Sequence, residues 1–370
     1  MDTPVILQCT SFADLPALRA GGVVYLVRNG ADGGLGNYFA AKGFTVREIV
    51  VSDATLDDYC GMAVRRVEEG TRILVAVGNH CAMEAGKLLA HLHDLPLWCV
   101  PTDLDAACAM SAYTMWTVDR RPVFLPVRSH TVICLDGLLS PTRDGIQQAY
   151  QYLFARYVAL HSAVYRGRLF LEERDNARLR TLSEAAEKTL LSIDEYSPTA
   201  GKTLWQMLAQ TADEGDDNEI LLFAKAICVY KKGNMAYNRY VFAAAYAYVV
   251  ALGECRDLPD LLLPPDRVTV AEAAEGLGWV PAECATPPVR EYRRIDWVWR
   301  DYLPEMGEVA AKSAEMAKNW RRLAGSAGYG YFEDLSAADL VGLLPLVAET
   351  YPTYTPFKHL YLRGGFNLFI

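Results

Sequence analysis

Histidine is scarce in this chain, and its distribution is uneven. The 370 residues include six histidines, and none of them lies between His161 and His359. Imidazole is the commonest metal ligand among protein side chains. A histidine-based metal centre is therefore excluded from the long stretch between those two residues.

Positive charge and long apolar runs are scarce as well. The chain has 36 lysines and arginines against 45 aspartates and glutamates, a net charge of −9. A surface of this sign does not displace the counterions of nucleic acids or anionic membranes, so we expect neither partner. No apolar run approaches the roughly 20 residues of a membrane span, and the start, Met1-Asp-Thr-Pro, lacks the basic flank of a signal peptide. We expect a cytoplasmic protein.

The cysteines do not form a recognisable pairing pattern. There are nine, an odd number, with no Cys-x-x-Cys pair, and several lie within apolar runs. This pattern predicts reduced and mostly buried thiols rather than a disulfide framework or a zinc site.

Short apolar runs alternate with helical segments over the first 140 residues. The strand-like runs are Gly22–Val27, Phe44–Val51, the runs that begin at Ile73 and Leu97, and Thr131–Asp136. The helical segments between them are Gly36–Lys42, Leu56–Glu69 and the helix around Ala82. Such alternation predicts a parallel sheet with helices on both faces.

After Asp136 the pattern changes to long helical stretches, namely Gly145–Tyr165, Ala177–Leu191, Glu219–Tyr230 and Arg239–Leu252. A chain that is 52% hydrophobic over 370 residues can bury more than one core. We therefore predict an α/β, Rossmann-like nucleotide-binding domain over residues 1–140 and an all-α substrate domain over residues 141–370.

One strand–turn–helix unit is suited to binding an anion. An apolar run from Ile73 leads to a glycine turn at Gly78, and a helix follows. In such a unit the unpaired N–H groups and the positive dipole end of the helix point to one spot, which favours a pyrophosphate. The same sequence is equally typical of a plain strand-to-helix connection.

The stretch from Ile73 to Tyr113 resembles the glycerol dehydrogenase branch of the iron-containing alcohol dehydrogenase and dehydroquinate synthase superfamily. That branch has a Gly-Gly-Gly-Ser turn, an acidic residue and a lysine on the following helix, then a Pro-Thr turn and a serine. The positions in register here are Gly78, Glu84, Lys87, Ala90, Pro101, Thr102 and Ser111. The resemblance implies an α/β dinucleotide-binding domain, a mostly α-helical C-terminal domain, and NAD or NADP with the substrate in the cleft.

The resemblance also implies which residues contact the cofactor, namely Gly78, Asn79, His80, Cys81, Glu84, Pro101, Thr102 and Ser111. Two departures alter this site. Asn79 and His80 replace the second and third glycines, where a pyrophosphate needs close approach to the backbone. After Thr102, the carboxylates of Asp103 and Asp105 enter the loop where phosphate or ribose would lie.

The family holds a divalent metal with one aspartate and two histidines, and this ion polarises the substrate hydroxyl. At those positions this chain has Gln148, Tyr246 and Pro264. An amide without carboxylate neighbours is a poor metal ligand, so we expect no metal there. We expect Lys87, Arg239 or Tyr246 to polarise the substrate instead, with Lys232 as an alternative to Arg239.

Several of these residues also have a purely structural interpretation. His80 is typical of a solvent-exposed turn, and Cys81 of a small buried residue. Lys87 fits either a surface pair with Glu84 or a buried lysine that faces the cleft, and its match to the family favours the second. The basic turn from Lys231 to Arg239 is typical of a charged loop that caps a helix.

Three functions are compatible with these residues. The first is a divergent oxidoreductase that resembles NAD(P)-dependent glycerol or polyol dehydrogenases and uses no catalytic metal. The second is a non-catalytic, ligand-binding pseudoenzyme of the same fold, because the metal ligands and the phosphate loop are altered together. The third is a non-redox lyase or cyclase that acts on a sugar phosphate. We favour the first, with a polyol or sugar phosphate as substrate and a homo-oligomeric assembly.

Overall fold

The α/β part of the chain is not one continuous stretch. The structure, a computed structural model, describes residues 4–52, 59–127, 130–170, 176–212, 214, 218–231, 237–254, 267–280, 289–324, 337–351, 355 and 358. Two units are formed: unit 1 comprises Met1–Ala149 and Tyr196–Asp213, and unit 2 comprises Tyr150–Glu195 and Glu214–Ile370. A segment beyond residue 140 therefore belongs to the unit that contains the sheet.

The strands of unit 1 form one parallel sheet and a separate hairpin. In chain order they are β1 Val5–Cys9, β2 Val23–Arg28, β3 Thr45–Val50, β4 Thr71–Gly78, β5 Leu97–Pro101, β6 Tyr113–Val118, β7 Arg121–Pro126 and β8 His130–Leu135. The sheet has the order β1-β8-β5-β4-β2-β3, and every pairing in it is parallel. β6 and β7 pair antiparallel. The predicted α/β fold is confirmed.

The central strands could be predicted from the sequence because they are buried. Residues 73–78 of β4 and 97–101 of β5 are all buried. A parallel strand covered on both faces needs a nearly continuous apolar run, and both strands have one. Edge strand β3 is instead mostly exposed, with Ile49 as its one buried residue, and carries the charged residues Arg47 and Glu48.

The helices in the described part of the chain are α1 Leu35–Ala41, α2 Tyr59–Ala63, α3 His80–His93, α4 Arg143–Phe170, α5 Asn176–Ser192, α6 Pro198–Gln210, α7 Asn218–Tyr230, α8 Val241–Glu254, α9 Arg267–Leu277, α10 Val289–Ala324 and α11 Ala337–Thr350. Short 3₁₀ segments occur at Phe12–Asp14, Leu104–Met110 and Tyr237–Tyr240. The mostly helical remainder agrees with the predicted fold class.

One predicted helix is much shorter than expected. The helix predicted over Leu56–Glu69 is described only from residue 59 onward, and there it ends at Ala63. The chain then runs to β4 as a loop that is held by side chains of the sheet. The Glu68 main-chain N–H donates to the hydroxyl of Tyr25, and the Glu68 carboxylate pairs with Arg47 at 2.7 Å. These contacts compete with continuation of the helix.

The sheet reverses its direction of growth between β2 and β4. From β2 the chain passes through α1 to β3 on one side, and from β4 it passes through α3 to β5 on the other. The crevice outside the carboxyl ends at such a switch point is where open α/β sheets bind ligands. The loop after β2 and the turn after β4 therefore border the expected ligand position.

Asp103, just after β5, fixes the start of α4. Its carboxylate accepts hydrogen bonds from the Thr142 main-chain N–H at 3.0 Å, the Thr142 hydroxyl and the Leu104 N–H. Gly145 packs directly against it, since a Cβ there would lie 2.0 Å from Asp103 Oδ1. This carboxylate therefore has a structural role and is not available to bind a ligand.

Stacked aromatic side chains build the core of unit 2. The Phe242 ring of α8 lies 4.7 Å from the Phe154 ring of α4 and 4.6 Å from the Trp320 ring of α10. The hydroxyl of buried Tyr150 lies 2.9 Å from the carbonyl oxygen of Leu190 on α5. These contacts join four helices around one apolar centre.

In the described ranges, no helix has both the length and the apolar character that crossing a bilayer requires.

Substituting Gly145 by Ala is expected to lower the free energy of unfolding by about 1–3 kcal/mol, because the new methyl group displaces the Asp103 carboxylate from its hydrogen bonds. Urea denaturation measures the change. In an Asp103→Ala background the same substitution should no longer destabilise, since the obstructing carboxylate is gone.

Gly276 on α9 supplies the matched control, because a Cβ there meets nothing within 4 Å. Gly276→Ala should raise the free energy of unfolding by about 0.4–1 kcal/mol, because alanine favours the helix and reduces the conformational entropy of the unfolded chain. Equal effects of the two glycine substitutions would contradict the role given to Asp103.

Candidate functional site

The turn between β4 and α3 is built on Gly78. Its φ of 135° lies in the region that side chains avoid, and a Cβ would come within 2.7 Å of the Asn29 carbonyl oxygen. Only glycine fits here, because the backbone that follows β2 packs directly against the turn. The two loops at the switch point are therefore in contact.

Asn79 caps the helix that follows. Its side-chain oxygen accepts a hydrogen bond of 3.0 Å from the main-chain N–H of Cys81. Asn is among the preferred N-cap residues, because its amide oxygen satisfies one of the orphan donors of the first turn. Asn79 stands at a position where the family has a glycine, and here its side chain has a local structural role.

The end of β5 meets the same turn. Gly78 is in register with Pro101 in the sheet, and the Thr102 N–H donates to the Gly78 carbonyl at 3.0 Å. The structure therefore brings together four of the residues implied as cofactor contacts, Gly78, Asn79, Pro101 and Thr102, at one edge of the sheet.

The remaining implied contacts on α3 point inward. His80, Cys81 and Glu84 are each at most 2% exposed, and so is Lys87, which was expected to polarise the substrate. The helix comes unusually close to the sheet, since a Cβ on Gly86 would lie 2.6 Å from the Ala76 Cβ of β4. The interpretation of His80 as a solvent-exposed turn histidine is wrong. Cys81 is buried, in line with its structural interpretation.

Lys87 is fully buried and bonded to the main chain. Its ammonium donates to the carbonyl oxygen of Cys108, and to that of Tyr113 at 3.1 Å. The interpretation of Lys87 and Glu84 as a helix-surface pair is therefore wrong, because neither side chain reaches the surface. Ser111 belongs to the same segment, and its N–H also donates to the Cys108 carbonyl, at 2.9 Å.

Glu84, at the position of the family's acidic residue, belongs to a buried hydrogen-bond chain. Its carboxylate accepts a hydrogen bond from the Thr114 hydroxyl. The Thr114 oxygen in turn accepts a bond of 2.8 Å from the Trp116 indole N–H. A buried carboxylate is tolerated when it is bonded in this way.

Burial controls the ionisation of the thiols around Glu84 and Lys87. It raises the pKa of Cys99 to about 12, with the nearby Lys87 ammonium opposing the rise. Burial and the Glu84 carboxylate raise the pKa of Cys108 well above its usual value. Neither thiol is therefore a thiolate at neutral pH, and neither is an activated nucleophile.

His130, at the start of β8, is a buried neutral histidine. Burial, with a smaller contribution from the Lys87 ammonium, lowers the pKa of His130 from 6.5 to about 4. Its Nε2 lies 3.2 Å from the Ala109 carbonyl oxygen, so that nitrogen carries the proton and donates. No local sequence pattern marks this role, because the partner is 21 residues away.

A cavity of about 530 Å³ opens at the carboxyl ends of β1 and β8, beside α6. Its lining includes Gln8, Asp136, Lys202, Trp205 and Gln206. Trp205 is held in place by its indole N–H, which lies 2.9 Å from Cys134 Sγ. The volume is within the range of small-molecule sites, and the sequence analysis did not identify it.

The other residues expected in the site were Gln148, Arg239, Tyr246, Pro264 and Lys232. Gln148 is buried on α4 in unit 1. In unit 2, Arg239 is partly buried in a 3₁₀ turn, and Tyr246 on α8 stacks on Phe242 with centroids 6.1 Å apart. Pro264 and Lys232 lie outside the described residues. An amide and a phenol do not reproduce the family's aspartate and histidine donors.

Solved structures with this fold include several dehydrogenases. The chain is similar to glycerol dehydrogenase from Schizosaccharomyces pombe, with a TM-score of 0.52 and 13% identity, over 88% of this chain and 92% of that one. It is similar to maleylacetate reductase from Rhizobium sp. strain MTP-10005, with a TM-score of 0.54 and 13% identity, over 99% of this chain and 96% of that one.

An archaeal halo-thermophilic alcohol dehydrogenase from a Red Sea brine pool is also similar, with a TM-score of 0.53 and 11% identity, over 100% of this chain and 98% of that one. No protein-family model and no curated protein matches the sequence. At these identities the likeness establishes the fold alone, and it confirms the glycerol and iron-containing alcohol dehydrogenase fold that the resemblance implied.

Lowering the pH from 6.5 towards 4 is expected to reduce the free energy of unfolding through His130. In this window the unfolded chain protonates this imidazole and the folded state does not, so the unfolded state binds more protons. The loss approaches roughly 3 kcal/mol at the acid end. Urea denaturation of the wild type and His130→Gln at pH 7 and pH 5 measures it.

The exposed His91 gives the control, because His91→Gln should keep the wild-type difference between the two pH values. A wild-type pH dependence in the His130→Gln variant would show that other groups cause the acid destabilisation.

Proposed function

We propose that this chain is a divergent oxidoreductase that resembles NAD(P)-dependent polyol dehydrogenases and works without a metal at the family's position. The observation that carries the proposal is the strand–glycine turn–helix unit at the switch point, where the carboxyl ends of β2, β4 and β5 are neighbours. The shared fold with dehydrogenases supports the same reading.

The turn offers a dinucleotide two partly exposed polar residues. NAD or NADP supplies the hydride acceptor when it is bound. Gly78 is buried against the backbone at Asn29, and Asn79 and Thr102 beside it are partly exposed. The positive end of α3 favours a pyrophosphate at this point. The residues of the turn thus bind and orient the cofactor.

The substrate in this proposal is a polyol or a sugar phosphate. Its oxidation needs a group that stabilises negative charge on the hydroxyl oxygen. We assign this role to Arg239 or Tyr246. Lys87 is a positioning residue here, because its ammonium is bonded to two carbonyl oxygens. By the same resemblance, we propose a cytoplasmic homo-oligomer.

A specific observation favours a second candidate, a ligand-binding protein without redox turnover. In the part of the chain that the structure describes, the side chains of Asp136, Lys202 and Gln206 line the β1–β8 cavity and make no hydrogen bond or ion pair. The lysine can pair with a phosphate, and the carboxylate and amide can bond to hydroxyl groups, so this lining fits a phosphorylated sugar.

The first candidate is tested with Asn79→Asp. Aspartate caps a helix as well as asparagine does, so stability should be unchanged. The added negative charge should weaken NAD and NADP binding about tenfold or more at low salt, because it repels the pyrophosphate. Isothermal titration calorimetry with NAD, NADP and adenosine measures this, and adenosine, which carries no phosphate, should be unaffected.

Ser197→Asp is the matched control, because it changes the N-cap of α6 in the same way and leaves the β4–α3 turn alone. Dinucleotide binding of equal strength in all three proteins would contradict the proposed site. If the wild type binds neither dinucleotide, the redox proposal fails.

The second candidate is tested with Lys202→Met. A hexose monophosphate should raise the midpoint of thermal unfolding of the wild type, and Lys202→Met should lose the shift because the phosphate has lost its cation. The exposed Lys188 on α5 gives the control, since Lys188→Met should retain the shift. A shift that survives Lys202→Met would exclude this cavity.

A further inference from the structure

A buried imidazole, carboxylate and thiol converge beneath the first turn of α3. They belong to His80, Glu84 and Cys108, and their ligand atoms all lie within 4.8 Å of one another. The three residues are 1%, 2% and 3% exposed. Three different metal-ligating groups therefore share one small volume in unit 1.

The local structure explains why they meet. His80 and Glu84 are four residues apart on α3, so their side chains project from the same face of the helix. Cys108 comes from the 3₁₀ segment Leu104–Met110, which Lys87 fixes through the Cys108 carbonyl. The Cys108 thiol also contacts the His80 carbonyl oxygen, at 3.9 Å. Two rigid elements thus hold the ligands.

We infer that His80, Glu84 and Cys108 form a buried zinc site that ties α3 to the segment after β5. Nitrogen, oxygen and thiolate donors in one set suit a borderline-soft ion such as Zn²⁺ better than Mg²⁺ or Ca²⁺. Tetrahedral coordination at bond lengths of about 2.0–2.3 Å brings neighbouring donors roughly 3.3–3.8 Å apart. Since no two of the three ligand atoms are more than 4.8 Å apart, the trio reaches this by closing at most about 1.0–1.5 Å.

Neighbouring side chains already hold the Glu84 carboxylate in place. The Thr114 hydroxyl donates to Glu84 Oε2 and the Trp116 indole N–H donates to Thr114, which together fix the orientation of the carboxylate. Metal-binding carboxylates are held in this manner. A water molecule or the Thr114 hydroxyl would supply the fourth ligand.

Charge balance is compatible with a divalent ion. A Cys108 thiolate and the Glu84 carboxylate together neutralise Zn²⁺, which leaves the Lys87 ammonium with its two carbonyl acceptors. Coordination displaces the proton from Cys108 Sγ, so uptake releases a proton and strengthens with pH. This inference does not depend on the proposed redox function, because its three ligands are buried, whereas Asn79 and Thr102, which that proposal assigns to the cofactor, are partly exposed.

Cobalt substitution tests the site directly. The chain is purified in a Cys60→Ser background, because Cys60 is the exposed thiol among the described cysteines. The protein is stripped of metal with a chelator and titrated with Co²⁺ and then Zn²⁺. We expect a thiolate-to-cobalt absorption band in the near ultraviolet that zinc abolishes, a single zinc ion per chain by elemental analysis, and a higher midpoint of thermal unfolding with zinc.

Cys108→Ser should remove the absorption band, and Glu84→Gln should weaken zinc binding about tenfold or more. Cys99→Ala is the matched control, since Cys99 is also buried beside Glu84 and Lys87 but is not one of the three ligands. The control should keep the band. No cobalt band in the starting protein, or a band that survives Cys108→Ser, overturns the inference, and circular dichroism establishes that each variant is folded.

Discussion

The buried ammonium of Lys87 is the interaction on which this edge of unit 1 depends. A lysine with no exposed surface is tolerated only if oxygen atoms replace its water, and the carbonyls of Cys108 and Tyr113 do so. These two bonds attach α3 to the segment after β5 and to the first strand of the β6–β7 hairpin. Burial lowers the pKa of His130 and the Lys87 charge adds to that effect, and the same charge opposes the rise that burial causes in the pKa of Cys99.

The first turn of α3 has two different sides. On the outside, the partly exposed Asn79 presents its amide at the switch point of the sheet. On the inside, His80 and Glu84 belong to a cluster of polar side chains that is buried from solvent. The proposed dinucleotide and the proposed zinc ion would therefore act on opposite sides of one helix turn, and each would stiffen what the other contacts.

The sequence predicted the parts of the fold that depend on local pattern. The continuous apolar runs of β4 and β5 marked buried parallel strands, and Gly78 marked the turn between β4 and α3. The sequence could not show that α6 belongs with the sheet, because this depends on Gly201 packing against Leu104 and Ile146, far away in the chain. Likewise, the bonds from Lys87 to Cys108 and from Thr114 to Glu84 join residues 21 and 30 positions apart.

The Asn79 cap has a consequence for how tightly a ligand binds at this turn. The cap already satisfies the Cys81 N–H, so an arriving anion must compete with an amide that is tethered in place. A cap is worth about 1 kcal/mol, which corresponds to roughly fivefold in a dissociation constant. A molecule held here would therefore bind more weakly than at an uncapped turn, as suits a co-substrate that exchanges at every turnover more than a group retained for the life of the protein.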